Sequence, residues 1–402
     1  MRPTPPAEIA GATSRKNDGC PEEEDLEVEE PEPSRVELDA RRAGTESLPQ
    51  LPARQAPARR LPELRLVQGT PGGRGRLILP IAVDALGGDK APAEIVAGAR
   101  RVQDELGIPV LLVGPDDGRL GDVGDLEILV ANESIAMDED PARAVRAKRD
   151  STLVRAAEAV AEGRASAMVS AGNTGAAMAS ALFRMGRLSG VARPAIAAPL
   201  PIPSGGHPTV LIDAGANADC RPEWLVQFAQ MASAYVTSRY GVAQPSVALL
   251  SNGEEASKGS PLVKETHALL AAGAGVRFVG NVEGRDLLAG GVDVVVVDGF
   301  TGNVALKSLE GALHAFMGIL GAVFAESPEN KAAGDVLVPS LLKYAGYVDP
   351  EETGGALLLG VEGVCIISHG SSSARAIVNA VHVAADLVAA DLVGQVRAAV
   401  SR

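Results

Sequence analysis

The chain has 402 residues, 46% of them hydrophobic and 3% aromatic, with 45 glycines and a formal net charge of −14 at pH 7. That length fills one large α/β unit or two ordinary domains, and few aromatics beside so many glycines imply a core of Ala, Val, Leu and Ile around many tight turns. The acidic balance excludes nonspecific nucleic-acid binding as the main activity, the scattered Cys20, Cys220 and Cys365 offer neither a zinc spacing nor a disulfide framework and fit a reducing cytoplasm, and no apolar run reads as a bilayer span.

Residues 1–76 are rich in Pro, Glu and Arg, with an acidic run at Glu22–Asp25 and a basic stretch through Arg54, Arg59, Arg60 and Arg74. They read as a disordered extension, either a solvated tail or a partner-binding arm. From Leu77 the texture changes, and residues 77–402 read as one α/β domain. LILPIAVDA (77–85) is a buried strand ending at Asp84. The turn Gly87-Gly88-Asp89-Lys90 and a helix from about Pro92 to Leu106 follow it. Val110–Val113 and Glu127–Val130 are short strands. Pro141 then opens one long helix to about Ala161, whose Arg143, Arg146, Lys148 and Arg149 form either a solvated face or a docking surface.

The next stretch, VSAGNTGAAM (169–178), joins a strand end, a glycine turn and a helix start within ten residues. Gly172 and Gly175 supply backbone freedom and Thr174 is expected to cap the helix. Free amides at a helix start, with the positive end of its dipole, favour a phosphate or a developing oxyanion, although an ordinary βα turn has the same composition. Apolar strands recur at 195–199, 209–212, 247–250, 277–279, 292–297 and 364–367, most of them separated by helical patterns. Such alternation predicts a largely parallel sheet covered on both faces, with the ligand site at the carboxyl ends of the strands.

Polar turns fall at those ends. Asp84 follows LPIAV, Ser170–Thr174 follow AMV, and Asp213–Asn217 follow VLI. Ser251–Glu255 follow VALL, Asp298–Asn303 follow VVVV, and Ser368–Ser371 follow VCII. Six such turns on one predicted sheet edge exceed what capping alone requires and imply a shared cleft. AGNTG and FTGN offer Thr, Gly and Asn to an oxyanion. Lys258 and Lys307 are candidate positive charges, each also readable as a surface lysine. Glu254, Glu255, Asp89, Asp298 and His369 are candidates for proton transfer or for orienting donors. No GxSxG elbow, GxGxxG fingerprint or P-loop occurs. Cys220 and Cys365 are possible thioester nucleophiles by type, but Cys365 lies inside a strand run and reads as a buried structural cysteine.

IAVDALGGDKAP, VSAGNTGAAM, DAGANADCRPEWLVQFAQM, LLSNGEEASKGS, VGNVEGRD, VVVVDGFTGNVALKSLEG, GGALLLGVEGV and ISHGSS together resemble the bacterial phosphate acyltransferases of glycerophospholipid synthesis, the PlsX family, from about Leu77 to about Val393. The resemblance implies a three-layer α/β/α fold with a mostly parallel sheet, similar to that of isocitrate and isopropylmalate dehydrogenases and phosphate acetyltransferases. It implies transfer of a fatty acyl group from acyl carrier protein to inorganic phosphate. The acyl phosphate so formed would feed a downstream acylphosphate-using glycerol-3-phosphate acyltransferase. It further implies a cytoplasmic homodimer held peripherally on the cytoplasmic membrane, at an anionic surface, with no cofactor and no metal.

In this reading phosphate attacks the thioester carbonyl directly, without an acyl-enzyme. Gly172, Asn173, Thr174 and Gly175 cradle it, Thr301, Gly302 and Asn303 face it, and Lys258 neutralises charge. Asp84, Asp89, Asp298 and His369 support the catalytic centre, and Asn252, Asp213 and Asn217 complete the substrate-binding set. Lys90 departs from the family, which carries His after GGD. A purely electrostatic role passes easily to Lys, whereas an acid–base role needs a strongly lowered pKa.

Residues 304–347 form a helical region of possible dimer or membrane contact. The stripe Leu306, Leu309, Leu313, Phe316, Met317, Leu320 and Phe324 is expected to be buried in the fold or a dimer interface. The cluster Val336, Leu337, Val338, Leu341, Leu342 and Tyr344 around Pro339 is either similarly covered or an apolar tip for the membrane. The rival readings are a phosphate acetyltransferase-like enzyme using acyl-CoA, a metal-dependent hydroxy-acid dehydrogenase on the same fold, and an inactive scaffold binding carrier protein at the membrane.

Overall fold

Eleven short strands hydrogen-bond into one sheet in the order β3-β2-β1-β4-β11-β10-β5-β6-β9-β7-β8. The computed structural model describes residues 79–401, without the side chains of residues 342–348 and 350. The expected extension, and Leu77 at the predicted start of the first strand, lie outside the described residues.

The strands are β1 (Ile81–Asp84), β2 (Val110–Gly114), β3 (Glu127–Val130), β4 (Ala167–Ser170), β5 (Ala195–Leu200), β6 (Thr209–Ile212), β7 (Ser246–Leu250), β8 (Arg277–Val282), β9 (Val294–Val296), β10 (Ala356–Leu359) and β11 (Val364–Ile367). The helices are α1 (Ala93–Leu106), α2 (Pro141–Ala147), α3 (Thr152–Ala161), α4 (Thr174–Ser180), α5 (Pro222–Tyr240), α6 (Pro261–Ala271), α7 (Gly299–Ala325), α8 (Pro328–Val348), α9 (Ala374–Ala389) and α10 (Leu392–Val400). β1, β2, β4, β6, β7, β9 and β11 are buried along their length. That is why they read as continuous apolar runs rather than alternating ones.

One apolar cluster joins alternate strand residues such as Val83, Val169, Ile212 and Val296 to α1, α5, α9 and α10. A second joins Ala82, Met168, Ile196 and Leu358 to α2, α3 and α4. Helices therefore cover both faces of the sheet, giving three α/β/α layers.

The sheet is mixed, and its mixing relocates the turns. β3, β2, β1, β4 and β11 run parallel to one another, and so do β6, β9, β7 and β8. Between the two groups lie three consecutive antiparallel pairings, β11–β10, β10–β5 and β5–β6. An odd number of reversals turns one group end for end against the other. The six polar turns thus do not share one edge of the sheet, as the alternation predicted: three lie on each. The β5–β6 pairing is the source of the error. The two reversals at β10 cancel and leave β5 parallel to β11, whereas the chain passes from Leu200 to Thr209 without a helix and β6 returns antiparallel to β5.

The predicted helix 141–161 is two. Ser151 N–H donates to Lys148 O at 3.2 Å and Thr152 N–H to Glu133 O at 3.0 Å, and Glu133 and Ser151 form a β-bridge. The backbone around Ser151 thus pairs across to the chain before α2 instead of continuing the helical ladder.

Candidate active site

Asp84 ends β1 with its carboxylate buried, accepting Ser170 O–H at 2.6 Å and Leu86 N–H at 3.2 Å. Burial raises its pKa above 3.8 against the opposing effect of its hydrogen bonds, that from Ser170 first. Ser170 Oγ in turn accepts Gly172 N–H at 3.0 Å, so one serine hydroxyl links the β1 carboxylate to the turn after β4. The chains approach so closely that a methyl group at Gly87 would sit 2.8 Å from Gly172 N. Gly88, at φ +108°, packs under Gly370 O and Ala171 O. Asp89 N–H donates to Gly370 O at 2.7 Å. Three turns, after β1, β4 and β11, are therefore fused into one edge. Its exposed rim carries Asp89, Lys90, Thr174, His369 and Ser371. His369 Nδ1 and Ser371 Oγ are 2.8 Å apart.

Asn173, not Thr174, caps α4: its Oδ1 accepts Ala176 N–H at 3.0 Å. Its Nδ2 donates to the carbonyls of Ala136, Met137 and Glu139 at 3.0–3.3 Å. That side chain is fully engaged by protein and only 7% exposed, so it organises the turn rather than offering a donor to a ligand. What the turn leaves for an anion is the exposed Thr174 side chain and the amides of Thr174 and Gly175, which have no intrahelical acceptor. Gly175 lies against Pro141, whose Cγ would be 2.6 Å from an added methyl.

The other edge is built around Asp213. Its Oδ1 accepts the amides of Ile196, Gly215 and Ala216 at 2.9–3.2 Å, and its Oδ2 accepts Asn217 N–H and Nδ2–H at 2.8 Å each. Burial nonetheless sets its pKa above 3.8. Asn217 also donates to Pro194 O at 2.8 Å, and its own carbonyl accepts Gly299 N–H at 2.7 Å. Both side chains fix the loop after β6 on itself and against the start of β5, and the Asn217 carbonyl ties that loop to the start of α7.

Asp298 caps α7 by accepting Thr301 N–H at 2.9 Å, and Gly302 N–H donates to Asp298 O at 2.9 Å. The Gly299, Thr301 and Gly302 amides are thus in use, and the predicted FTGN cradle presents side chains of Thr301 and Asn303, both exposed, rather than amides. Gly302 is required by contact: a methyl there would overlap Asp213 O.

Beyond the carboxyl ends of β7 and β9 lies a cleft of about 380 Å³. Leu225, Leu249, Leu250, Val263, Val296 and Val297 line it with Ser251, Asn252, Ser260, Asp298 and Thr301. Ser251 Oγ is buried with no hydrogen-bond partner among the described residues. Asn252 Oδ1 accepts Gly259 N–H at 2.9 Å. Lys258 is exposed on the turn that closes the cleft, between the bond from its own amide to Glu255 O and Gly259. Ser251 opens the polar turn read after VALL and Ser260 closes the SKGS stretch, but sequence alone assigns neither a site role.

Cys365 is fully buried in β11, and burial pushes its thiol up to about 12. Cys220 is pushed to about 11 by burial, despite the Gly299 amide. Neither is a ready thiolate nucleophile.

Although the two groups of turns lie on opposite sheet edges, α4 and the first turns of α7 return over one face. Ala176, Ala177 and Met178 share a single apolar cluster with Ala214, Ala216 and Leu306.

Residues 79–395 match the family described as "Fatty acid synthesis protein". The chain is 47% identical over 317 residues to the phosphate acyltransferase of Nostoc punctiforme, covering 77% of this chain and 92% of that protein. It is 46% identical over 328 residues to that of Pelotomaculum thermopropionicum, covering 80% and 95%. Among solved structures it is similar to a phosphotransacetylase from Streptococcus pyogenes, with TM-score 0.53 and 18% identity over 78% of this chain and 94% of that one. A EutD phosphotransacetylase from Staphylococcus aureus gives TM-score 0.50 and 16% identity over 77% and 94%. These last two likenesses bear on the fold.

Proposed function

The chain belongs to the phosphate acyltransferase family of fatty acid synthesis proteins, and on that premise we propose that it moves a fatty acyl group from the thioester of acyl carrier protein to inorganic phosphate, releasing acyl phosphate for phospholipid synthesis. The observation that carries the reading is the fused edge after β1, β4 and β11. There the turns that carry Asp89, Lys90, His369 and Thr174, with the first amides of α4, are tied together beside a buried, serine-bonded carboxylate. Cationic, imidazole and amide donors on one rim suit a dianion.

Phosphate is already nucleophilic, so the protein's task is placement. A phosphate oxygen attacks the thioester carbonyl, the C–O bond forms, and a tetrahedral oxyanion develops. Its collapse breaks the C–S bond and expels the carrier thiolate, which takes a proton. Holding phosphate against the carbonyl supplies roughly 7–11 kcal/mol of the barrier, and donors aimed at the oxyanion add to it. α4 and the first turns of α7 lie over the same face of the sheet, and in this reading Thr174 holds phosphate while Thr301 and Asn303 face the acyl donor. Lys90 here serves as an electrostatic anchor for phosphate, and Lys258 as a second positive charge.

The helical hairpin of α7 and α8 is the surface for a second copy and for an anionic membrane. Phe316 is 58%, Ile319 61% and Val336 76% exposed in the single chain. The exposed Arg143 and Arg149 on and after α2 fit the acidic carrier protein. Incubation with acyl carrier protein thioester and labelled phosphate tests the reaction. Labelled acyl phosphate is expected, with acyl-CoA turned over at least about tenfold more slowly. Free fatty acid without labelled product overturns it.

A further inference from the structure

The cleft beyond β7 and β9 combines aliphatic with polar lining, and nothing above assigns it an occupant. Leu225, Leu249, Leu250, Leu262, Val263 and Val296 line it together with Ser251, Asn252, Ser260, Asp298 and Thr301. Two observations mark it as a ligand site rather than a packing fault. Gly259, at φ +95°, lets the turn lie so close that an added methyl would meet Val263 Cγ1 at 2.6 Å and Ser251 Oγ at 3.1 Å. Ser251 Oγ itself is a buried hydroxyl for which the described residues provide no partner; a buried polar atom left orphaned costs stability unless something else satisfies it.

An amphipathic ligand answers both features, with an apolar segment against the half-buried Leu262 and Val263 and a carbonyl or amide at Ser251. Resting on the acyl-transfer reading, we propose that this cleft seats the aliphatic chain of the acyl donor and that Val263, on the first turn of α6, sets its length. Asp298 and Thr301 belong both to the cleft and to the start of α7. The chain therefore enters past the residues that the reading assigns to the acyl donor. Each methylene seated raises kcat/KM about threefold to fourfold until the cleft is filled.

The test compares palmitoyl and butyryl donors on the full chain. Val263→Phe, which fills the cleft, is expected to lower the palmitoyl-to-butyryl ratio of kcat/KM by about tenfold or more. Val263→Ala, which deepens it, is expected to raise the ratio. A fluorescent fatty acid displaced by palmitate, with displacement lost in Val263→Phe, reads the cleft without turnover. A protein that binds this probe but forms no acyl phosphate overturns the reaction and retains the chain seat. An unchanged ratio with unchanged probe binding overturns the seat. A loss of kcat/KM equal for both donors also overturns it and points to the carrier's polar arm instead.

Discussion

Asn173 and Lys258 look alike in the sequence, each a polar residue in a glycine turn, and the structure separates them by what their side chains already touch. Asn173 makes four protein hydrogen bonds in a buried site. Removing it unties the cap of α4 and the chain between β3 and α2 together. Asn173→Ala is expected to cost about 2–3 kcal/mol, read as a fall in the urea midpoint. Lys258→Ala, at an exposed position, is expected to change stability by less than about 0.5 kcal/mol while lowering turnover by roughly a hundredfold. Equal effects of the two on stability would refute this division. Asp213, Asn217 and Asp298 fall on the Asn173 side. Their side chains are engaged in shaping the loop after β6 and in capping α7, and sequence cannot show this because a capping Asp and a ligand-binding Asp are the same residue. Lys90, Thr174, His369 and Asn303 remain exposed and available to a substrate.

The pair α7–α8 is the element where pattern and environment part most clearly. Its apolar stripe was expected to be buried in the fold or a dimer interface: within one chain Leu306 and Leu309 pack on the core, Leu313, Leu320 and Phe324 are half-buried, and Phe316 and Met317 are exposed, as are Ile319 and Val323 beside them. Phe324 packs on Gly334, which closes the two helices on each other. By length and composition α7 is also long enough to cross a membrane, where the sequence reading had found no span. The discrepancy arises because Gly311–Ala325 carries no Asp, Glu, Lys or Arg, and the glycines in it do not interrupt the helix. Of the second cluster, Val336, Leu337, Val338 and Leu341 are exposed, whereas the side chains of Leu342 and Tyr344 lie outside the described residues. Leu337→Asp with Leu341→Asp is expected to abolish flotation with anionic vesicles while acyl-transfer activity in solution persists. Retained flotation would leave the hairpin to a partner copy alone. In α2, Lys148 is tied to Glu139 at 2.6 Å and Arg146 stacks on Phe183, which leaves Arg143 and Arg149 of the predicted basic face free for a partner.

The whole molecule is two parallel half-sheets joined end for end, each with one buried carboxylate at the head of its turns: Asp84 in one, Asp213 in the other. Burial raises both above 3.8. The sign follows directly. The folded chain holds these protons after the unfolded chain has released them, so stability falls as pH rises from about 3.8 through the raised values, and that loss persists above them. Urea unfolding from about pH 4 to about pH 7 is expected to show this slope, and Asp84→Asn to flatten it; an unchanged slope in the variant refutes the assignment. The sequence by itself determined every strand but β10, most helices, the turns that hold polar residues and the family. Apolar runs, caps and glycine turns are local, and a family pattern spread over eight motifs survives any local ambiguity. Tertiary structure alone decided that β10 enters antiparallel, that the turns divide three and three, and that the side chains of Asn173, Asp213 and Asn217 are spent on the scaffold. It also decided that an orphaned serine faces an apolar cleft. Strand direction, partner choice and burial are set by contacts between residues tens to hundreds of positions apart, and no local pattern records them.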